Sequence, residues 1–273
     1  MRLLRPIALL VGTGMALGFA FIVDGGSPAW HEALRVAVVA GALVGAAAAF
    51  NDAVDAGFDR DAHVWRPIPA GLVSVVEAKR AAALLAVVAL VVGATLDWRA
   101  FLLILVTLAA VYLYTAQLRP SPLAWLAWSV SFALLPLWVA ESVDAFDDVL
   151  WWSFPMGLFA GLAAYMVIKL PDYERDDHDD ARNVLHWMTI DYAVPLAWGA
   201  VGALIVVAVA SANLEEFRAE WIIPTVSVAI VLSLTMIGVM FLGVTERRLV
   251  WQRWLLSLAI VAMTLGWLGS IAL

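Results

Sequence analysis

The chain has no cysteine among its 273 residues. That excludes disulfides, thiolate nucleophiles, cysteine-held zinc and iron–sulfur clusters. Charge is also scarce. Only 14% of residues are charged, and only two of them, Lys79 and Lys169, are lysines. The net charge of −7 argues against nucleic acid as a partner, which would select a basic face. The four histidines, His31, His63, His178 and His186, lack metal-binding spacing and read as loop residues. There is no Ser/His/Asp motif and no glycine-rich phosphate loop. What the chain has in abundance is apolar surface: it is 64% hydrophobic, with a mean hydropathy of +0.92. A soluble domain is about 45–50% apolar and about 25% charged, so the composition defines a polytopic membrane protein.

A spanning helix needs about 20 predominantly apolar residues. Nine such stretches are predicted, over residues 5–23, 33–51, 78–96, 100–118, 122–140, 149–169, 190–211, 221–243 and 250–271. The N-terminal stretch has the charge and apolar run of a signal peptide, but it is long enough to span and reads as an uncleaved first helix. Lys and Arg set the orientation. With the N-terminus inside, 13 of the 16 basic residues fall on the inner side and only Arg35, Arg99 and Arg218 on the outer. The expected architecture is an all-α bundle of nine transmembrane helices with a cytoplasmic N-terminus. Gly41-x-x-x-Gly45 and the alanines before Asn51 read as close helix packing.

The acids are not spread evenly. Asp52, Asp55, Asp59 and Asp61 follow the second stretch, while Asp172, Glu174, Asp176, Asp177, Asp179 and Asp180 follow the sixth. Those two clusters hold ten of the 23 acids and, by parity, face the same side of the membrane. Their separation by four helices hints at an ancient four-helix repeat. Asp52, Asp55 and Asp59 are spaced i, i+3, i+7; Asp172, Asp176 and Asp180 are spaced i, i+4, i+8. On a helix each set lies along one face, where like charges repel unless a cation neutralises them. Carboxylate oxygens suit Mg²⁺, which takes one or two of them and completes its shell with water and substrate phosphates. Two such faces across a cavity mouth would hold metal around a diphosphate. The plainer reading is a pair of solvated acidic loops, and it fits Asp61, Asp177 and Asp179 better than the spaced acids.

These residues carry a resemblance. Asn51-Asp52-x-x-Asp55-x-x-x-Asp59, followed by Arg66-Pro67-Ile68-Pro69-Ala70-Gly71, resembles the first signature of the UbiA-type intramembrane prenyltransferases. Leu170-Pro171-Asp172-Tyr173-Glu174-x-Asp176 resembles the second, with Arg175 where the family commonly has glycine. The stretch DHDDARN replaces the small residues that often follow. The resemblance implies one UbiA-like domain over residues 1–273, with the two acidic loops capping a central cavity. It also implies a reaction. Asn51, Asp52, Asp55, Asp59, Asp172 and Asp176 would hold Mg²⁺ on the diphosphate of an isoprenoid donor, with Asp55, Asp59, Asp172 and Asp176 as the catalytic carboxylates. Allylic diphosphate leaves readily only when its developing charge is neutralised. Asn51, Arg66, Tyr114, Arg119 and Lys169 would bind substrate; each of the basic ones also serves as a positive-inside residue. Arg5 occupies the family's N-terminal Arg-Pro position and fits a snorkelling anchor equally well. Most of the 14 Trp read as interface anchors or packing.

The implied partners are an isoprenoid diphosphate, a hydrophobic or aromatic acceptor such as a quinone precursor, and membrane lipid. The expected location is a prokaryotic cell membrane with the site toward the cytoplasm. A membrane terpene cyclase of the same family is the nearer alternative, since it would ionise the donor without an acceptor. A cation transporter is the more distant one. Transporter sites lie near the bilayer midplane on broken helices, whereas these acids cluster at helix ends.

Overall fold

The computed structural model describes residues 2–57, 59, 64, 66–169, 190–212, 219–240 and 246–271. Among them are nine α-helices and no strand. With no water in hydrocarbon to satisfy backbone groups, a chain this apolar must close its hydrogen bonds within helices. The helices are α1 (Pro6–Val23), α2 (Trp30–Val54), α3 (Val75–Gly93), α4 (Trp98–Leu113), α5 (Ala124–Ser142), α6 (Ser153–Lys169), α7 (Ile190–Ala212), α8 (Ala219–Met240) and α9 (Glu246–Ile271). Seven spans among the described residues are long and apolar enough to cross a membrane. α3 is not among them; its opening turns carry Glu77, Lys79 and Arg80. α8 contributes a shorter apolar stretch, Glu220–Thr235.

The helices sit close to the predicted stretches, and the shifts at their ends matter. α2 continues to Val54, so Asn51 and Asp52 are helical and Asp55 is the C-cap. α4 passes into a π-helical segment, Tyr114–Leu118. A 3-10 turn, Asp148–Trp152, leads into α6. α3 begins with a complete capping box. Ser74 Oγ accepts from the Glu77 backbone N–H at 3.2 Å, and Glu77 Oε2 accepts from the Ser74 backbone N–H at 2.8 Å.

The chain forms two compact units. The first comprises Met1–Ala116 and Leu137–Phe146. Its centre is α2, packed against α1 and α3 largely through small side chains. Ala40, Ala42, Ala46, Ala48, Ala49 and Ala53 are buried there. A Cβ added to Gly45 would stand 3.0 Å from Leu85 Cδ1, and one added to Gly12 would stand 2.7 Å from Val44. Lipid tails are as apolar as leucine, so helices in a membrane gain little from burial itself and associate through such close contact. At the end of the unit away from Asn51, Arg35 Nη1 donates to the Thr95 carbonyl at 2.7 Å, and Arg99 Nη1 lies 3.7 Å from Glu141.

The second unit comprises Gln117–Pro136 and Asp147–Leu273. Here α6 meets α5 backbone to backbone. At Gly157 and Gly161 any Cβ would collide with the main chain of Ala133 and Ser129. Ser129 Oγ then reaches the Leu158 carbonyl at 3.0 Å. Trp267 on α9 is fully buried and donates from Nε1 to Ser211 Oγ on α7 at 2.8 Å. A buried indole N–H without such a partner would be costly in this setting.

Candidate active site

The acidic end of α2 is built by chain geometry alone. The helix carries Asn51 and Asp52 on its last turn, and the chain then continues in turns that keep Asp55 and Asp59 in step. The Asp55 N–H donates to the Asn51 carbonyl at 2.9 Å, and the Asp59 N–H to the Asp55 carbonyl at 2.8 Å. The i, i+3, i+7 spacing therefore becomes a single face, as predicted. Asp52, Asp55 and Asp59 are only 3%, 5% and 1% exposed. Two like charges about 5 Å apart repel by about 3 kcal/mol at an effective dielectric near 20. Three buried acids together would cost as much as a domain's whole stability without a counter-charge.

Arg66 supplies one. Its Nη1 lies 2.6 Å from Asp59 Oδ2, 3.7 Å from Asp55 Oδ2 and 4.0 Å from Asp52 Oδ1. The turn Arg66–Gly71 aims it there: the Ala70 N–H donates to the Arg66 carbonyl at 2.9 Å, and Gly71 closes the turn at φ 69°, a left-handed conformation suited to glycine. Asn51 Nδ2 donates to Asp55 Oδ2 at 3.0 Å. A second guanidinium comes from the start of the chain. Arg5 Nη2 donates to Asp52 Oδ1 at 2.6 Å, from a backbone in the left-handed region at φ 47°.

Asn51, Asp52, Asp55, Asp59 and Arg66 are thus brought together within the first unit. Tyr114, at the C-cap of α4, belongs to the same unit and is half-buried. Arg119 and Lys169 belong to the second unit, where Lys169 is buried at the end of α6. Asp172 and Asp176 lie outside the described residues. Arg5 is the addition. Its position before proline pointed to the family's pattern, but only the fold shows it reaching Asp52 across 47 residues of sequence.

The donor chemistry fits a hard divalent cation. Three carboxylates share one face, and Arg66 demonstrates that one cationic group can approach all three within 4.0 Å. No group of three or more His, Cys, Asp or Glu side chains among the described residues is arranged to hold a metal ion by itself. Mg²⁺ does not require such a group, because it is ordinarily held by one or two carboxylates and completed by water and phosphate oxygens.

An all-helical membrane fold with a buried carboxylate face at the end of its second helix defines the class. The profile of the UbiA prenyltransferase family matches residues 10–233, and the chain belongs to that family. Its members are prenyltransferases, and so is this chain. Solved structures with the same fold include one of digeranylgeranylglyceryl phosphate synthase, at 16% identity and a TM-score of 0.77, covering 100% of this chain and 97% of that one. A UbiA homologue from Archaeoglobus fulgidus with GPP and Mg²⁺ bound is 19% identical, with a TM-score of 0.74 and coverage of 97% and 98%. An apo UbiA homologue from Aeropyrum pernix K1 is 17% identical, with a TM-score of 0.77 and coverage of 94% and 97%. No curated protein matches the chain in sequence.

Proposed function

We propose that this chain transfers a polyprenyl group from an isoprenoid diphosphate to an acceptor within the membrane, with Mg²⁺ as cofactor. The observation that carries the reading is the face formed by Asp52, Asp55 and Asp59 around Arg66. Such a face is costly to bury and serves no packing purpose. The binding of GPP and Mg²⁺ by the Archaeoglobus fulgidus homologue supports the donor class and the metal.

In this reading Asn51, Asp52, Asp55 and Asp59, with Asp172 and Asp176 of the second motif, would hold Mg²⁺ for the donor's diphosphate. When bound, the ion neutralises the charge that develops as the allylic C–O bond breaks. Arg66 is placed to take part of that charge on the departing phosphate oxygens, since a guanidinium matches phosphate geometry through paired N–H groups. Asn51 and Arg5 hold Asp55 and Asp52 in place before substrate arrives, so little reorganisation remains for the reaction step. Arg119, Lys169 and Tyr114 complete the substrate contacts. The apolar surroundings protect the allylic cation from water until the acceptor attacks it.

The acceptor is proposed to be an aromatic quinone precursor. The likeness to digeranylgeranylglyceryl phosphate synthase supports a second choice, a prenylated glyceryl phosphate. The test is diphosphate release from geranylgeranyl diphosphate by purified protein, with Mg²⁺ or EDTA, beside Asp55→Ala. Each reaction is run with an aromatic acid, with a glyceryl phosphate lipid and with neither. Mg²⁺-dependent release requiring one acceptor supports transfer and names the acceptor class. Release with neither points to a cyclase, and no release from any donor sinks the reading.

A further inference from the structure

On the side of α2 away from its carboxylates, the first unit has a groove of about 450 Å³. α2 contributes Ala46 and Phe50; α3 contributes Lys79, Ala82, Ala83 and Ala86; α4 contributes Leu105, Leu108, Ala109, Val111 and Tyr112. The α3 residues stand at i, i+3, i+4 and i+7, which is one face of a helix. Phe50 lies about 200° around α2 from Asp52 at 3.6 residues per turn, so the groove does not open onto the carboxylate face.

The groove has a polarity. α3 and α4 are joined by a tight turn, in which the Thr95 N–H donates to the Val92 carbonyl and the Leu96 N–H to that of Gly93, both at 3.0 Å. Lys79 and Tyr112 each stand fourteen residues from that turn, and Ala86 and Leu105 each stand seven. At 1.5 Å per residue, the cationic end of the groove is about 10 Å farther from the turn than its apolar end. Among its described lining residues Lys79 is the only charged one, and it is exposed. Tyr112, 54% exposed, brings a phenol to the same end and stacks on Phe50 with centroids 5.3 Å apart. The basic-residue count puts this end at the cytoplasmic membrane surface. The outer rim is apolar, with Leu84, Val87, Leu102 and Val106 exposed, and would face acyl chains.

We propose that this groove is a binding site for an anionic phospholipid. One acyl chain lies on the alanine floor between α3 and α4, and the headgroup phosphate meets Lys79 and the Tyr112 hydroxyl. The occupant follows from complementarity. A greasy slot with one cation at its interfacial end matches an apolar chain ending in an anion. A zwitterionic lipid would bring a choline beside Lys79 as well.

Nanodiscs of phosphatidylcholine with a minor fraction of phosphatidylglycerol provide the test. The full chain is reconstituted, released into mild detergent, and its retained lipids are counted by native mass spectrometry. Phosphatidylglycerol should be retained several-fold above its mole fraction. Lys79→Gln should abolish that preference, and Ala83→Phe, at an exposed position in the floor, should lower the retained count by one. Diphosphate release should be unchanged in both. Retention that follows bulk composition, or that neither variant alters, overturns the proposal. Saturating geranylgeranyl diphosphate provides the last arm. Its binding alongside the retained lipid supports a separate site, whereas one-for-one displacement assigns the groove to the donor's tail and overturns it.

Discussion

Arg66 Nη1 and Asp59 Oδ2 stand 2.6 Å apart, the shortest of three approaches that Arg66 makes to the carboxylates of one face. One guanidinium therefore balances acids drawn from two successive turns of chain. Removing it leaves Asp52, Asp55 and Asp59 buried and mutually repelling. Breaking a buried pair in this way typically costs about 3–5 kcal/mol. Arg66→Ala is expected to lower the melting temperature in EDTA, to regain part of the loss when Mg²⁺ is added, and to release diphosphate slowly. Arg66→Lys keeps the charge without the paired donors and should fall between. A melting curve for Arg66→Ala that ignores Mg²⁺ would argue against metal at this face.

Asp55 and Asp172 separate folding from chemistry. Asp55→Ala removes one of the repelling acids, so the fold should survive. Turnover should fall by at least about 100-fold, the scale on which one charge-stabilising group matters in a transition state. Asp172→Ala should do the same from the second motif. Gel filtration with a diphosphate-release assay checks both; normal specific activity in either variant removes that residue from the site.

Gly161 offers a prediction about packing. A side chain there has no room against Ser129 on α5, and the close approach is what lets Ser129 Oγ reach the Leu158 carbonyl. Gly161→Leu should give aggregated or poorly expressed protein. Gly14, whose added Cβ would meet nothing, should accept alanine without loss. Equal yields from the two variants in a detergent-solubilised expression screen would show that α5 and α6 do not depend on this contact.

The start of α3 gives a pH dependence. The hydrogen bond from the Ser74 backbone, aided by its hydroxyl and by Arg80, holds the exposed Glu77 carboxyl below its ordinary value. A carboxylate so lowered favours the fold above its unfolded pKa, and that contribution fades as pH falls through the folded one. Ser74→Ala should therefore lower the melting temperature modestly at pH 7, with the gap to the parent narrowing in acid. A gap that widens toward low pH would contradict the capping box.

The places of the nine helices among the described residues were legible because long apolar stretches leave the backbone no other option, although only seven spans are long and apolar enough to cross a membrane. The carboxylate face was legible because helical spacing carries directly into geometry. Three things were not. Arg5 reads as an anchor until α1 brings it beside Asp52, a contact between residues far apart in sequence. Gly157 and Gly161 repeat the Gly-x-x-x-Gly spacing of Gly41 and Gly45, but the spacing alone does not say that α5 is the partner they meet. The groove beneath Lys79 needs three helices at once, so no single stretch announces it.

The Arg66–Asp59 contact spans only seven residues, and Arg5, the other guanidinium at this face, precedes all of them. The Arg66–Asp59 contact is local enough to close quickly, because little loop entropy opposes it, whereas Arg5 must reach Asp52 across 47 residues. The contacts among Arg5, Asn51, Asp52, Asp55, Asp59 and Arg66 all lie within residues 5–66 of 273. During synthesis these contacts can be complete, and the acids neutralised, while most of the membrane-spanning chain is still unmade.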